Sequence, residues 1–356
     1  MEDNRIAYVD KEGKQRELEI DEDEVILDLS KKGITAIDLN TVIKIPDLKE
    51  LDLGGNALDE IDFTPLIQCP SLQKLTLFKN QFKTINLKPL EKLTQLEELN
   101  LGTNQLSSVD LYPLKSSKSL KRLRLFNNGL KEVDIKPLQG CSSLESLEIE
   151  NNNIQSIDLR PLSNCHEFLQ LNLMYNQLIE LDLSPLSTCS KLKFVYLHHN
   201  NIMYLDLSPL ENCPDLRILR LGSNSIEQID LAPLKSCKQL RRLGLAMNQI
   251  LSLDLSPLAH AGHLSSLDIA GNRLTELDLS PLKACEELTE LYLYSDHPLE
   301  NIFEKLGISA LFNCPELEDF TISEKTKLIA DKILKDKDDI PPAIEELIEE
   351  NRIDWV

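Results

Sequence analysis

The chain of 356 residues contains no run of 18 apolar residues, and so no segment suited to crossing a bilayer as a helix. Its opening stretch, MEDNRIAYVDKEGKQRELEIDEDE, lacks the apolar core and small-residue cleavage site of a secretory signal. No Asn-x-Ser/Thr glycosylation acceptor occurs anywhere. Together these absences set the expectation of a cytoplasmic protein. Catalytic signatures are missing too. There is no P-loop, no Gly-x-Ser-x-Gly and no His-Glu-x-x-His, and no acid-base pair stands apart from the background. The expectation is a chain that is not an enzyme and uses no cofactor. Positive charge is scarce, with 38 Lys and Arg against 59 Asp and Glu and a net charge of -21. The acidity gathers at the ends, where residues 1–24 hold ten acids against four bases and residues 299–356 hold fifteen against seven. A surface of this sign repels nucleic acid and anionic lipid, so neither nucleic acid nor a membrane is an expected partner.

What the chain does have is a period. An asparagine recurs every 24 residues at Asn56, Asn80, Asn104, Asn128, Asn152, Asn176, Asn200, Asn224, Asn248 and Asn272, and a proline keeps the same beat from Pro65 to Pro281. A fixed repeat of this length signals coils stacked into a solenoid, which grows by adding units rather than by enlarging one core. The first half of each unit reads L-x-x-L-x-L-x-x-N-x-L, as in Leu96, Leu99, Leu101, Asn104 and Leu106. Alternation around Leu99-Asn100-Leu101 predicts a strand with its leucines inward. The second half reads I-D-L-x-P-L-x-x-C, as in Ile157, Asp158, Leu159, Pro161, Leu162 and Cys165. It predicts a short second strand, then a single helical or 3-10 turn. Serine would cap that turn and proline would open it, as at Ser184-Pro185, Ser208-Pro209, Ser256-Pro257 and Ser280-Pro281.

Stacking turns residues 24 apart into columns with a step of roughly 5 Å, the spacing of paired strands. An asparagine amide offers a donor and an acceptor, so that column is expected to satisfy backbone groups of its own coil and the next. The aspartate column runs through Asp38, Asp62, Asp110, Asp134, Asp158, Asp182, Asp206, Asp230, Asp254 and Asp278. Like charges in a row repel. Asn86 fills the missing slot and keeps the acceptor oxygen without the charge, so the column is read as accepting a hydrogen bond near the following turn rather than as binding calcium. The cysteine column holds Cys69, Cys141, Cys165, Cys189, Cys213, Cys237, Cys285 and a delayed Cys314, with Leu93, Ser117 and Ala261 in the same slot elsewhere. Such a slot is small, apolar and buried, and predicts free core thiols. One thiol per coil and no Cys-x-x-Cys pair speak against zinc. His198-His199 and the pair His260 and His263 have no further ligand cluster in sequence, so no metal or catalytic role is assigned to them.

The pattern resembles the leucine-rich-repeat family over residues 24–323, and its Ile-Asp-Leu-Ser-Pro-Leu-x-x-Cys form is similar to cytoplasmic members of prokaryotic or archaeal type. The resemblance implies an α/β-type solenoid that is mostly β. It would be a curved right-handed array with a concave parallel sheet, and with short second strands and 3-10 turns on the convex side. Three segments are expected: an N-terminal β-hairpin cap over residues 1–24, coils over 25–298, and an irregular last repeat with a helical cap over 299–356. Lys32 replaces the asparagine in the first coil and Asp296 replaces it in the last. The phrase Cys314-Pro315-Glu316-Leu317 arrives five residues late, which marks an insertion, read as a helix near Leu299–Leu306 ahead of a last strand at Phe320 and Ile322. Two more helical stretches are predicted around Lys327–Lys335 and Pro342–Ile353, the second with Ile344, Leu347 and Ile348 on one face.

Function in a solenoid sits on exposed strand positions. In a chain only 5% aromatic, that face carries Phe78, Phe126, Met174, Tyr175, Phe194, Tyr196, His198, Tyr292 and Tyr294, together with Arg122, Arg124, Arg220 and Arg242. Aromatic residues and arginine are enriched at interface hot spots. Ring stacking between adjacent strands is the competing role. The expectation is a monomeric, non-enzymatic scaffold that binds a protein or peptide on the concave sheet face. One alternative, from family analogy, is a regulatory subunit acting in trans on an enzyme such as a GTPase or phosphatase. The other is a purely structural spacer.

Overall fold

The computed structural model describes residues 5–20, 24–45, 47–296 and 298–356. Residues 1–4 and 21–23 of the expected N-terminal cap lie outside the described residues. The chain divides into two compact units, Met1–Gln177 and Leu178–Val356. Among the described residues no helix is long and apolar enough to cross a membrane.

The first unit opens with the predicted hairpin. Strand Arg5–Asp10 pairs antiparallel with Gln15–Glu19 and, on its other side, with Ile34–Ile37. Parallel strands then follow at Ile26–Asp28, Glu50–Asp52, Lys74–Thr76, Glu98–Asn100, Arg122–Arg124, Ser146–Glu148 and Gln170–Asn172. Their leucines stand in direct register, Leu51 beside Leu75, then Leu99, Leu123, Leu147 and Leu171. Strands of three residues are unstable alone. The coil repeat supplies each with neighbours and carries the bonding past the strand end, where Leu53 N donates to Thr76 O (2.8 Å) and Gly55 N to Phe78 O (2.7 Å). The second unit repeats the scheme at Phe194–Tyr196, Ile218–Arg220, Arg242–Gly244, Ser266–Asp268, Glu290–Tyr292 and Asp319–Thr321.

The asparagine column does what its amide allows. Asn152 Nδ2 donates to Leu125 O (3.1 Å) and Ile149 O (3.0 Å), while its Oδ1 accepts from Leu130 N (3.1 Å). Three backbone groups, one on its own coil and two on the preceding coil, are thereby satisfied inside the stack. The residue before each asparagine holds the left-handed conformation, with φ between 51° and 56° at Lys79, Thr103, Asn127, Asn151, Tyr175, His199, Ser223 and Met247. That geometry is unfavourable for side chains with a Cβ, and the asparagine bonds on either side hold the corner in place.

The aspartate column caps the 3-10 turns. Asp206 Oδ1 accepts from Ser208 N (2.8 Å) and Oδ2 from Ser208 Oγ (2.8 Å), and these two bonds lower its carboxyl below the usual range. Asn86 does the same for Lys88 N (3.1 Å). The predicted serine cap is corrected here. Ser208 is the first residue of the turn Ser208–Asn212 and donates, while the acceptor sits two residues earlier. The Ile-Asp-Leu segments lead into these turns, but among the described residues a paired strand ahead of such a turn occurs only at the ends of the array, at Ile34–Ile37 and, past the regular repeats, at Lys305–Gly307 and Lys327–Ala330. The cysteines are free and buried. Their S–H groups point at backbone carbonyls, as Cys237 does at Leu210 O (3.5 Å), and burial pushes the Cys237 thiol up to about 12.

The end of the second unit differs from expectation in four places: the ladder slot, two predicted helices, and the end of the last helix, which stops at Glu349 rather than Ile353. Asp296 does not replace the ladder asparagine. Asn301 fills the slot, donating to Ile269 O and Leu293 O (both 2.9 Å) and accepting from Leu274 N (3.1 Å). It arrives with the same five-residue delay as Cys314. The predicted helix near Leu299–Leu306 is absent, and Lys305–Gly307 is a strand. The predicted helix around Lys327–Lys335 is strand Lys327–Ala330 followed by a short 3-10 turn, because Leu328 and Ala330 alternate inward at a period of two. The last helix is Pro342–Glu349, with Ala343, Ile344 and Leu347 buried. It stops where Asn351 turns left-handed (φ 55°), Asn351 N bonding Ile348 O and Arg352 N bonding Leu347 O. The chain then forms strand Ile353–Trp355, which joins Lys327–Ala330 and Lys305–Gly307 in a small parallel sheet.

Candidate interaction surface

Inward leucines force the residues between them outward, so each three-residue strand presents its first and third side chains on the open face. In the first unit this face carries Phe78, Arg122, Arg124, Phe126 and Met174, all half-buried. Phe78 and Phe126 meet with ring centroids 5.8 Å apart and planes tilted by 46°, although a whole coil separates them in sequence. Gly102 makes this possible. A Cβ at Gly102 would stand 2.6 Å from Phe126 Cζ, so the ring lies directly over the glycine. Sequence reasoning passed over Gly102, though its place in the column between the two rings was the available signal.

The arginines of this unit are already engaged. Arg122 pairs with Glu98 and, at 3.3 Å, with Glu145. Arg124 pairs with Glu148 at 3.1 Å and with Glu98 at 3.4 Å. These groups neutralise one another across the coils. Tyr175 does not lie on the strand face. It occupies the left-handed corner, 48% exposed. Glu150, in the same column as Phe126 and Met174, was not singled out from sequence. Its Oε2 is covered and has no hydrogen-bond partner, and burial pushes the carboxyl up to about 7, with Glu148 adding to the rise and Arg124 opposing it.

In the second unit a row of rings runs along one strand. Phe194 and Tyr196 stack at 6.5 Å with planes 11° apart, and Tyr196 meets His198 edge-on at 6.3 Å. Burial raises the Tyr196 phenol, against the fields of Arg220 and Arg242. The same burial pushes the His198 ring down to about 4, helped by His199 and Arg220, so it is neutral at physiological pH. The register sets Arg220 beside Tyr196 and Arg242 beside Ile218. Arg217 and Arg241 precede those two strands, exposed and adjacent, Arg241 N bonding Arg217 O at 2.8 Å. They lie one position outside the columns that sequence reasoning followed. Among the described residues none of these four arginines has an ion-pair partner within 4.0 Å. Tyr292 and Tyr294 stand apart, their hydroxyls donating to Asp319 (3.3 Å) and Asp296 (3.0 Å).

Comparison with known proteins accords with this geometry. A family model described as leucine rich repeat matches residues 118–178 and 190–250, and a second, for two copies of the repeat, matches 70–115. An internalin from Listeria monocytogenes is 24% identical over 93% of this chain and 86% of its own, with a TM-score of 0.69. A leucine-rich-repeat protein of Leptospira interrogans is 26% identical over 83% of this chain and 72% of its own, with a TM-score of 0.72. The plant peptide hormone receptor RGFR1, solved in complex with RGF2, is 18% identical and has a TM-score of 0.71. That match covers 98% of this chain but only 59% of the receptor chain. No curated protein matches the chain in sequence.

Proposed function

We propose that this chain, a leucine-rich-repeat protein, is a non-enzymatic scaffold that binds a protein or peptide on the open face of its strands. Proteins of this family generally serve as interaction scaffolds, and the exposed strand positions are where such solenoids vary. The observation that carries the reading is the row Phe194, Tyr196 and His198 with Arg220 and Arg242 alongside it. These side chains occupy outward positions that the coil itself does not constrain. Rings held by their neighbours present a large apolar area with little rotamer freedom left to lose on binding. Phe126, held against Phe78, forms a second ring pair in the first unit, with Met174 two coils further along the same column. The proposed location is the cytoplasm, with the chain acting as a monomer.

Affinity capture from a lysate of the source organism tests this. The wild-type chain is compared with a variant carrying Phe126→Ala, Tyr196→Ala and Arg220→Ala. A protein recovered by the wild type and lost by the variant is the expected result. Identical recoveries from both would assign the rings to sheet packing and the chain to a spacer role. The recovered partner's turnover, measured with and without the chain, separates a scaffold from a regulator of an enzyme such as a GTPase or phosphatase.

A further inference from the structure

We infer that the strand face of the second unit takes a short acidic segment of a partner protein, seated on the guanidinium groups of Arg217, Arg220, Arg241 and Arg242. This rests on the scaffold reading above and narrows the partner's chemistry. The two units spell their faces in the same period, so positions 96 residues apart are equivalent and can be compared directly. Arg124 of the first unit corresponds to Arg220 of the second. Arg124 is clasped by Glu98 and Glu148. The corresponding positions beside Arg220 are Phe194 and Gly244. Glu97 and Glu145, which pair with Lys121 and Arg122, are likewise replaced by Lys193 and Arg241. The four carboxylates that neutralise Lys121, Arg122 and Arg124 are therefore exchanged for a ring, a glycine and two further cations.

Gly244 leaves open the space that Glu148 fills in the first unit. An added Cβ there would meet Arg220 Cγ and Cδ at no less than 3.9 Å. Arg220 reaches Asp268 through its field but forms no ion pair with it. A carboxylate brought by a partner would take the vacant acceptor position beside Arg220 in the manner of Glu148. Forked guanidinium groups favour such planar bidentate acceptors. Phe194, Tyr196 and Ile218, half-buried between the cations, suit apolar or aromatic side chains interspersed with the acids. The net charge of -21 decides the size of the ligand. A long polyanion feels the whole molecule and is repelled, whereas a short segment lies within about one Debye length of the four cations, roughly 8 Å at physiological salt.

The test is fluorescence anisotropy on the full chain with a short labelled peptide of alternating glutamate and tyrosine. Its lysine-for-glutamate analogue and an oligothymidylate serve as controls. The glutamate peptide is expected to bind, and to weaken as salt rises from about 50 to about 200 mM. Arg220→Ala with Arg242→Ala should weaken it by about tenfold or more, the factor that corresponds to losing one charge-assisted hydrogen bond. The exposed single change Arg242→Glu should weaken it in the same direction. Arg122→Ala with Arg124→Ala should leave it unchanged. Absence of binding, equal binding by all variants, or equal binding of the lysine peptide would overturn the inference. An oligothymidylate that binds as tightly as the glutamate peptide would overturn it in favour of a nucleic acid. Should Arg220→Ala with Arg242→Ala still recover the partner that the wild type captures, the inference falls and the scaffold reading stands. Should the wild type capture nothing, the scaffold reading itself falls.

Discussion

Replacing Glu150 by glutamine should stabilise the protein at alkaline pH and leave it nearly unchanged at acid pH. The carboxyl is half-buried on the face of the first unit, with Oε2 covered and without a hydrogen-bond partner, and burial pushes it from 4.5 up to about 7. In the folded chain the proton is therefore held more tightly than in the unfolded chain. The resulting stabilisation is complete below 4.5 and is lost as pH rises through about 7. The gap between the two values corresponds to about 3 kcal/mol. The group is partly reached by solvent, which screens the charge and brings the expected effect to about 1 to 2 kcal/mol. Glutamine keeps the shape and never ionises. Urea unfolding of Glu150→Gln against the wild type at about pH 8 should show that advantage, and at about pH 5 most of it should vanish. Hydrogen exchange at the amides of Asn151, Asn152 and Asn153 reports the same difference locally. An advantage of equal size at both pH values, or a loss of stability at about pH 8, would refute the reasoning that an uncompensated carboxylate sits on this face.

Asn248 has no exposed surface, donates to Leu221 O (3.0 Å) and Leu245 O (2.9 Å), and accepts from Ile226 N (3.0 Å). Asn248→Ala leaves these groups to one another and should cost about 3 kcal/mol or more in denaturant unfolding, whereas a cost below about 1 kcal/mol would mean that the backbone re-pairs without the amide. Gly102→Ala should cost about 1 to 3 kcal/mol, because the new methyl meets the Phe126 ring. In a Phe126→Ala background most of that cost should disappear, and additive single and double values would show that the ring does not depend on the glycine.

The parts of this fold that could be read in advance are those where a local rule repeats. The strand leucines, the asparagine amides and the buried thiols each answer to their own coil and an identical neighbour, so one correct reading served throughout. Asn86 was enough to show that the aspartate column accepts a hydrogen bond rather than gathering charge. Reading failed where the repeat breaks. Lys327–Ala330 carries too few residues for a period of two to be told from a helical one, and the five-residue insertion hid Asn301 from a scan at fixed spacing. Tyr175 is expected on the strand face from its variable position just before Asn176, but that position is a left-handed corner, which the repeat pattern alone does not reveal.

The amino-acid sequence by itself therefore determined the coil, its stacking and the chemical types of the outward residues, because each follows from spacing along the chain. It named Arg122, Arg124, Arg220 and Arg242 alike as candidate contacts. Only the tertiary structure separated them. Arg122 and Arg124 are occupied by glutamates from neighbouring coils, while Arg220 and Arg242 face a ring, an isoleucine and a glycine. The physical reason is that whether a charge is available depends on what lies a few ångströms away across the stack, and that is a property of a pair of coils rather than of either residue's own sequence neighbourhood.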